Sequence, residues 1–262
     1  MTEIRLGFES RGEAARLATV TVDNPGKLNI LDPAGIAALE RTFSGLAADE
    51  TLCVAVLRGE GHRAFIGGAD IRTMATLDPE TARAFITGLH HACAAIRNLP
   101  VPVIARIEGY ALGAGLEIAA SCDLRIAADT ARFGMPEVKI GIPSVIEAAL
   151  LPRLIGWGRA RWLIYTGDMI DAAEAERWGL VERAVSSMDL DAAVEGCVSA
   201  ILAAGPRAIR SQKALIREWE RLPLSDAITR GIDVFAEAYA SPEPVERMAA
   251  FLREKKRRSR GA

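Results

Sequence analysis

Short apolar runs alternate with longer amphipathic stretches over the first half of the chain. IRLGF (4–8) and ARLATVTV (15–22) are β-branched or alternating segments, which predicts two strands. NPGKLN (24–29) predicts a turn that leads into a helix near residues 33–46, because proline favours the first helical position. CVAVLRG (53–59) predicts the next strand.

The alternation continues and then gives way to helices. A helix is predicted over residues 79–97, and VPVIARIEG (101–109) predicts a buried strand that leads into a glycine-rich turn at 113–115. LGAGLEIAASCDL (112–124) has helical composition. After about residue 145 the patterns are mostly helical: LLPRLIG (150–156), GRARWLIYTG (158–167), DAAEAERWG (171–179), 190–203, 206–220 and 225–239.

These elements favour one α/β domain with a helical C-terminal extension. The sequence contains no low-complexity linker and no obvious repeat of fixed period. Half of the 262 residues are hydrophobic, which is ample for a packed core.

The charge balance argues against a nucleic-acid-binding protein. The chain has 32 basic and 34 acidic residues, and its net charge of −2 provides no general field for an anionic polymer. The one basic run, REKKRRSR (253–260), is interpreted as a frayed, solvated end, with a phosphate contact as the alternative.

No targeting or metal-binding pattern is present. The first twenty residues lack a charged start followed by an apolar core, and no apolar run approaches the ~18 residues of a membrane span, so we expect a soluble, cytoplasmic protein. The cysteines have no CxxC spacing and are expected to be buried free thiols, and the histidines do not form a ligand set; His90 and His91 are interpreted as ordinary helix residues. These residues are Cys53, Cys93, Cys122, Cys197, His62, His90 and His91.

Two acidic residues lie beside turns that are rich in small residues. Glu117 ends YALGAGLE, Glu137 ends FGMPE, and a third such loop, FIGGAD (65–70), lies upstream. Backbone N–H groups from FIGGAD and YALGAG could converge on one oxygen, and two carboxylates that face one cavity can share acid and base work. The pattern indicates carbonyl chemistry through a negatively charged intermediate.

The residues alone leave this hypothesis open. The helix dipole favours ionisation of Glu117 and burial opposes it, so the direction of its pKa shift does not follow from the sequence. Only the fold could bring Glu117 and Glu137 together, and two surface glutamates are the plainer alternative. If they share a cavity, repulsion should separate their titrations into one base and one acid.

Three segments carry a resemblance to a known family. AFIGGADI (64–71), IARIEGYALGAGLEIAASCDLRIAADTARFGMPEVKIGIP (104–143) and WGRARWLIYTGDMIDAAEAERWGLVERAV (157–185) resemble the enoyl-CoA hydratase/isomerase family, or crotonase superfamily, and the similarity runs from about residue 3 to 255. The resemblance implies a spiral of repeated ββα units over residues 1–200. It also implies a helical region over 201–262 that assembles trimers, commonly paired into hexamers, an acyl-CoA thioester substrate, and no metal or redox cofactor.

The resemblance also assigns roles at the site. It places the oxyanion hole on the backbone N–H groups of Ala69 and Ala114, where the family most often has glycine at the second position. Glu117 and Glu137 match the two catalytic glutamates of hydratases, which implies water addition to a 2-enoyl-CoA. In that reaction Glu117 activates water for attack at Cβ, and Glu137 exchanges the proton at Cα.

One loop departs from the family pattern. Ser144 and Val145 stand where hydratases usually have a proline and a first glycine. This leaves a changed water position, a different acyl pocket or another reaction open. The alternatives are an enoyl-CoA isomerase, a decarboxylase, a CoA-ester hydrolase, or a non-catalytic acyl-CoA-binding or assembly protein. Glu147 is interpreted as a helix-start residue stabilised by the dipole, not as a catalytic group.

The resemblance implies that backbone and basic side chains hold CoA. Lys27 and Leu28 match positions that line the nucleotide, and Arg72 matches a cation near the CoA phosphates. The backbone of Gly68, Asp70 and Ile71 is expected to flank the adenine and the thioester arm. Lys213 matches a recurring family lysine, for which a purely structural role is open. Phe235 is a candidate to close the acyl pocket, from its own or a neighbouring subunit, and an ordinary core aromatic is the alternative.

Overall fold

A computed structural model describes residues 1–11 and 15–260 of the chain. Ten strands are present in this part: β1 (Glu3–Ser10), β2 (Arg16–Asp23), β3 (Leu52–Gly59), β4 (Ala64–Ile66), β5 (Val103–Ile107), β6 (Tyr110–Leu112), β7 (Leu124–Ala128), β8 (Arg132–Gly134), β9 (Met169–Asp171) and β10 (Arg183–Val185). The helices of the same part are α1 (Pro33–Leu46), α2 (Ile71–Met74), α3 (Pro79–Asn98), α4 (Ala114–Ser121), α5 (Leu151–Ile155), α6 (Trp157–Thr166), α7 (Ala172–Trp178), α8 (Leu190–Ala203), α9 (Pro206–Trp219), α10 (Leu224–Ala238) and α11 (Glu243–Arg260).

Six strands form the larger sheet, in the order β1-β2-β3-β5-β7-β10. β1 and β2 pair antiparallel, and the remaining neighbours are parallel. All five residues of β5 are buried, and β3 is buried over most of its length. Parallel strands covered on both faces require such continuous apolar runs, which is why the sequence pattern identifies them.

The smaller sheet has the order β4-β6-β8-β9. In each of the pairs β3–β4, β5–β6 and β7–β8, the first strand joins the larger sheet and the second joins the smaller sheet. The first two pairs are followed by the helices α3 and α4. This is a repeated strand–strand–helix unit, and the predicted α/β class is confirmed.

α1 and α3 begin with the same local signal. Asp32 and Asp78 are their N-caps, each accepts a backbone N–H three residues on, and a proline follows at the first helical position. The two helices pack against one another, and Leu39, Phe43 and Ile96 are fully buried in the core. The cap chemistry explains why the predicted start of both helices is correct.

The chain divides into two compact units, Met1–Val198 and Ser199–Ala262. The second contains α9, α10 and α11. The prediction of a frayed C-terminal end is wrong for the backbone, since α11 is helical through Arg260, whereas the side chains of residues 253–257 are exposed as expected. Val245, Met248 and Leu252 recur at three- to four-residue spacing, so the helix has an apolar stripe beside a charged, solvated face.

Short elements differ most from the prediction. The helix that contains Glu117 ends at Ser121, and the chain enters β7 at Leu124, where helical composition was expected to continue. In the described ranges no single helix has the length and apolarity of a membrane span, although α8 and α9 taken together as a bent pair meet the same criteria.

Candidate active site

A cavity of about 740 Å³ opens in the Met1–Val198 unit. Apolar side chains from α3 and from the loop after Glu137 form most of its wall, together with backbone of the glycine-rich loops. Its charged or hydroxyl-bearing lining residues are Asp78, Arg83, Glu117, Glu137 and Ser144. Both predicted acidic residues therefore border one cavity.

Glu117 lies in the first turn of α4, a helix in which every residue is buried. Its side chain is 4% exposed, and Oε1 accepts a hydrogen bond from the backbone N–H of Ala148 at 3.0 Å. Burial raises the pKa of Glu117 to about 8; the Ala148 N–H opposes the shift, and the negative charges of Glu137 and Glu147 add to it. Desolvation is thus the largest cause of the shift, and Glu117 retains a proton at neutral pH.

Glu137 comes from a 3₁₀ turn at Pro136–Ile140. Its Oε2 accepts a hydrogen bond from the Ser144 hydroxyl at 2.9 Å. Burial raises the pKa of Glu137, while the Ser144 hydroxyl opposes the shift. Ser144 therefore holds the carboxylate through a contact that sequence spacing does not reveal.

Gly113 is the point where the two acidic elements meet. Its φ of +52° is a left-handed conformation that favours glycine, and it is the residue before α4. A Cβ at this position would overlap Oε1 of Glu137. The carboxylate of Glu137 thus occupies the space that a side chain at position 113 would fill. This places it next to the start of the helix that carries Glu117.

The FIGGAD loop contains Ala69, one of the two residues whose backbone N–H is predicted to be an oxyanion donor. Leu31 forms a parallel bridge with Ala69, in which its N–H bonds to Gly68 C=O and its C=O accepts the Asp70 N–H, both at 2.9 Å. This pattern leaves the Ala69 N–H outside the bridge. Gly68 has a φ of +119°. Gly68, Ala69 and Ala114 all line the cavity, and Ala114 is the first residue of α4, where N–H groups have no helical acceptor.

Of the residues predicted to hold CoA, some line the cavity and the others lie outside its lining. Gly68 and Ile71 line the cavity, and Ile71 is 58% exposed. Asp70 caps α2 by accepting the Arg72 N–H at 2.9 Å. Arg72 and Asp70 are outside the cavity lining.

The NPGKLN turn, which contains Lys27 and Leu28, is also outside the cavity lining but packs on the FIGGAD loop. Leu28 C=O accepts the Gly67 N–H at 2.8 Å. Asn29, a residue that sequence reasoning missed, is fully buried and donates from its amide to Ala64 C=O at 2.8 Å. The sequence signal that could have identified Asn29 is an asparagine in a turn, because asparagine tolerates the left-handed backbone that this residue adopts, with φ of +53°.

Two further predicted residues lie in the second unit. Lys213 is buried on α9. Phe235 is 67% exposed on α10 and makes an edge-to-face contact with Tyr239, with ring centroids 5.4 Å apart. The suggested role of Phe235 in closing the acyl pocket stays a prediction.

Glu147 and His90 form a pair that the sequence did not suggest. Glu147 lies in a 3₁₀ turn at Ile146–Leu150, is 4% exposed, and its Oε1 is 2.9 Å from Nδ1 of His90 on α3. The side chain of Glu147 is thus engaged with another element and does more than stabilise a helix start. Within the described ranges, no group of three or more His, Cys, Asp or Glu side chains is arranged to hold a metal ion.

Comparison with known proteins defines the class to which this fold and cavity belong. Residues 12–259 match the family model described as enoyl-CoA hydratase/isomerase. A crotonyl-CoA hydratase from Syntrophomonas wolfei is 35% identical over 92% of this chain and 93% of the relative. A short-chain-enoyl-CoA hydratase from Clostridium acetobutylicum is 33% identical over the same shares of the two chains.

Solved structures agree with the sequence match. An enoyl-CoA hydratase from Mycobacterium smegmatis superposes with a TM-score of 0.90 at 31% identity, covering 95% of this chain and 96% of that one. The chain belongs to the enoyl-CoA hydratase/isomerase family, the crotonase superfamily. The predicted crotonase-like fold, with its two sheets and C-terminal helices, is confirmed.

Proposed function

We propose that this protein is an enoyl-CoA hydratase that adds water across the α,β double bond of a 2-enoyl-CoA thioester. The observation that carries the proposal is the pair Glu117 and Glu137, which border one largely apolar cavity and meet at Gly113. Relatives named as enoyl-CoA hydratases support the same class of substrate.

The proposed reaction passes through an enolate. The N–H groups of Ala69 and Ala114 hold the thioester oxygen as it gains negative charge, and a donor of this kind contributes about 3–4 kcal/mol. Water oxygen bonds to Cβ as its proton passes to one carboxylate, and the other carboxyl delivers a proton to Cα. The sum is one water added, which gives a 3-hydroxyacyl-CoA and restores one proton to the pair.

The roles of the two glutamates depend on which of them holds that proton before the reaction starts. The family resemblance gives Glu117 the role of base and Glu137 the role of acid. Burial places the proton on Glu117 in the ligand-free protein at neutral pH, since its pKa is about 8. Glu117 therefore acts as a base only in molecules where the proton has moved to Glu137, and the two groups titrate as a coupled pair.

Incubation with crotonyl-CoA tests the function. The conjugated enoyl thioester should lose its ultraviolet absorbance, and the product should be heavier by one water. We expect Glu137→Gln to lower kcat by at least about 10²-fold with little change in binding of CoA esters, because a positioned proton-transfer group is removed. Unchanged kcat in this variant would remove Glu137 from the mechanism.

The residual activity of Glu137→Gln also assigns the role of Glu117. In this variant Glu117 is the remaining acidic group of the pair, so the ambiguity of a two-group pH profile disappears. Loss of the Glu137 charge should lower the pKa of Glu117 below its native value of about 8. If Glu117 is the base, residual activity rises as the pH increases through this lowered pKa; if it is the acid, activity falls. The direction of the profile distinguishes the two assignments.

A second candidate is another reaction of the same enolate, namely double-bond isomerisation, decarboxylation or CoA-ester hydrolysis. It is favoured by the loop after Glu137, where the Ser144 hydroxyl occupies Oε2 of Glu137 and the side chain of Val145 lines the cavity. Product mass separates these reactions, because isomerisation leaves the mass unchanged and hydrolysis releases CoA. A non-catalytic binder would be stabilised by the ester and leave it intact.

The wider arrangement is proposed on the same basis. Lys27, Leu28, Arg72 and the backbone of Gly68, Asp70 and Ile71 hold the CoA moiety, with no separate cofactor. The chain assembles as a homotrimer or a dimer of trimers in the cytoplasm. An exposed apolar row on α10 supports self-assembly of residues 201–262: Leu224, Ile228, Ile232, Phe235 and Tyr239.

A further inference from the structure

A third buried carboxyl group lies behind the proposed acid–base pair. Glu147 is 4% exposed, and its Oε1 is 2.9 Å from Nδ1 of His90, whose side chain is half exposed. Oε2 of Glu147 is buried and has no hydrogen-bond partner among the described residues. An unpaired buried carboxyl oxygen destabilises a fold, so stability alone does not account for this residue.

The 3₁₀ turn Ile146–Leu150 connects this group to Glu117. Ala148, the residue after Glu147, donates its N–H to Oε1 of Glu117 at 3.0 Å. Ile146, the residue before Glu147, has a φ of +41°, which is strained for a β-branched residue. The hydrogen bond from His90 to Glu147 therefore fixes a strained turn whose next N–H holds the catalytic candidate.

The charge of Glu147 is a second link between this residue and Glu117. α3, α4 and this turn pack against one another. The groups whose charges act on Glu117 are Glu137 and Glu147, and both oppose its ionisation. On α3, burial followed by the charge of Glu147 raises the pKa of the Cys93 thiol well above its usual value, which places Glu147 toward the same interior. Within the described residues, no cation contributes to the shift of Glu117.

We propose that Glu147, anchored by His90, is a positioning residue for Glu117, on which it acts through the Ala148 N–H and through its own buried charge. The kinetic consequence rests on the proposed hydratase function. The effect on the proton of Glu117 is a property of the ligand-free protein and is tested without turnover.

The direct test is a carboxyl ¹³C NMR titration of protein labelled at glutamate, with Glu117→Gln used to identify the Glu117 resonance. Glu117 should titrate near pH 8 in the native protein. In Glu147→Gln, whose amide keeps the shape without the charge, the midpoint should fall by about 0.5–1 pH unit. Glu80→Gln, which removes an exposed carboxylate from the same helix as His90, should leave it unchanged.

His90→Ala tests the anchor from the other side. Loss of the hydrogen bond frees the turn and weakens the Ala148 N–H contact that favours ionised Glu117, so the midpoint of Glu117 should rise. His90→Gln, which can still donate to Glu147, should restore most of the native midpoint. An unchanged Glu117 midpoint in both Glu147→Gln and His90→Ala would overturn the proposal, and His90→Ala decides alone if Glu147→Gln does not fold.

Kinetics then separate the two proposals. If the protein is a hydratase, His90→Ala should lower kcat about tenfold with little change in KM, and His90→Gln should recover it. Equal kcat in native protein and His90→Ala would overturn the kinetic part of the positioning role. If the native protein does not hydrate crotonyl-CoA, the proposed function fails, while the NMR shifts still decide whether Glu147 controls Glu117.

Discussion

Two buried carboxylates of this protein occupy opposite electrostatic settings. Glu108 is 7% exposed and is bonded to Arg106 Nη1 and to His62 Nδ1, each at 3.0 Å. Glu117 is 4% exposed, and the hydrogen bond found for its carboxyl among the described residues comes from the Ala148 N–H. One acid is buried with a guanidinium beside it, and the other is buried with two further carboxyl groups nearby.

The effect of burial on a carboxyl group depends on whether a cation lies beside it. Around Arg106 the guanidinium also bonds to Asp191 at 2.5 Å, and this hydrogen bond lowers the pKa of Asp191. Around Glu117, no cation of the described residues opposes desolvation, so the proton stays to higher pH. The guanidinium keeps Asp191 ionised to lower pH, whereas burial of Glu117 lets this group give or take a proton near neutral pH, which is the property that acid–base catalysis needs.

The largest expected effect is a loss of stability when Arg106, the ion-pair partner of Glu108, is replaced. Arg106→Met leaves Glu108 buried beside His62 alone, and the loss of one partner of a buried ion pair typically costs about 3–5 kcal/mol. We expect the free energy of unfolding to fall by about that amount in urea titrations. kcat for crotonyl-CoA should be unchanged at temperatures where the variant is folded.

A matched double variant sharpens this prediction. Arg106→Met with Glu108→Gln removes both charges and should recover most of the lost stability, because no uncompensated charge stays buried. If the double variant is as unstable as the single one, packing of the Arg106 stem, not pairing of charges, is the main contribution of this cluster.

Removal of the charge at Glu117 should raise the free energy of unfolding, in contrast to the loss expected for Arg106→Met. Because the pKa of Glu117 is raised from 4.5 in the unfolded chain to about 8, the native protein loses stability as the pH rises between these values, by at most about 1.4 kcal/mol per pH unit. Glu117→Gln removes this penalty. We expect the variant to be more stable than the native protein by about 4 kcal/mol at pH 8 and to lose hydration.

Measurements at low pH provide the control for the Glu117→Gln prediction. Below pH 4.5 both states of the native protein hold the proton, so the charge contribution to the difference should vanish there. Thermal melts of the two proteins at pH 4, 6 and 8 provide the measurement. A stability difference that does not grow with pH would mean that Glu117 is not buried in its neutral form.

A smaller effect is expected where the two acidic elements meet. Gly113→Ala places a methyl group on Oε1 of Glu137 and should displace that carboxylate, lowering kcat about 10- to 100-fold. Gly156→Ala has a similar positive φ, +79°, with open space around the new Cβ, and should lower stability without changing kcat. Equal kcat losses in the two variants would show that backbone strain, not displacement of Glu137, is responsible.

Local patterns determined much of the fold in advance. The Asp-Pro starts of α1 and α3, the apolar run of β5 and the helix Leu190–Ala203 follow from capping, periodicity and residue type, which act over a few neighbours. The three-residue strands β4, β6 and β8 were missed, because so short a segment becomes a strand through its partner in the sheet, not through its own composition.

The candidate site divides in the same manner. The sequence by itself identified Glu117, Glu137 and the glycine-rich loops as a possible acid–base and backbone-donor set, since residue type and turn chemistry are written locally. It could not give the direction of the Glu117 pKa shift, the Ser144 contact to Glu137 or the His90–Glu147 pair. Those depend on burial and on atoms that distant segments bring within about 3 Å, and only tertiary packing decides both.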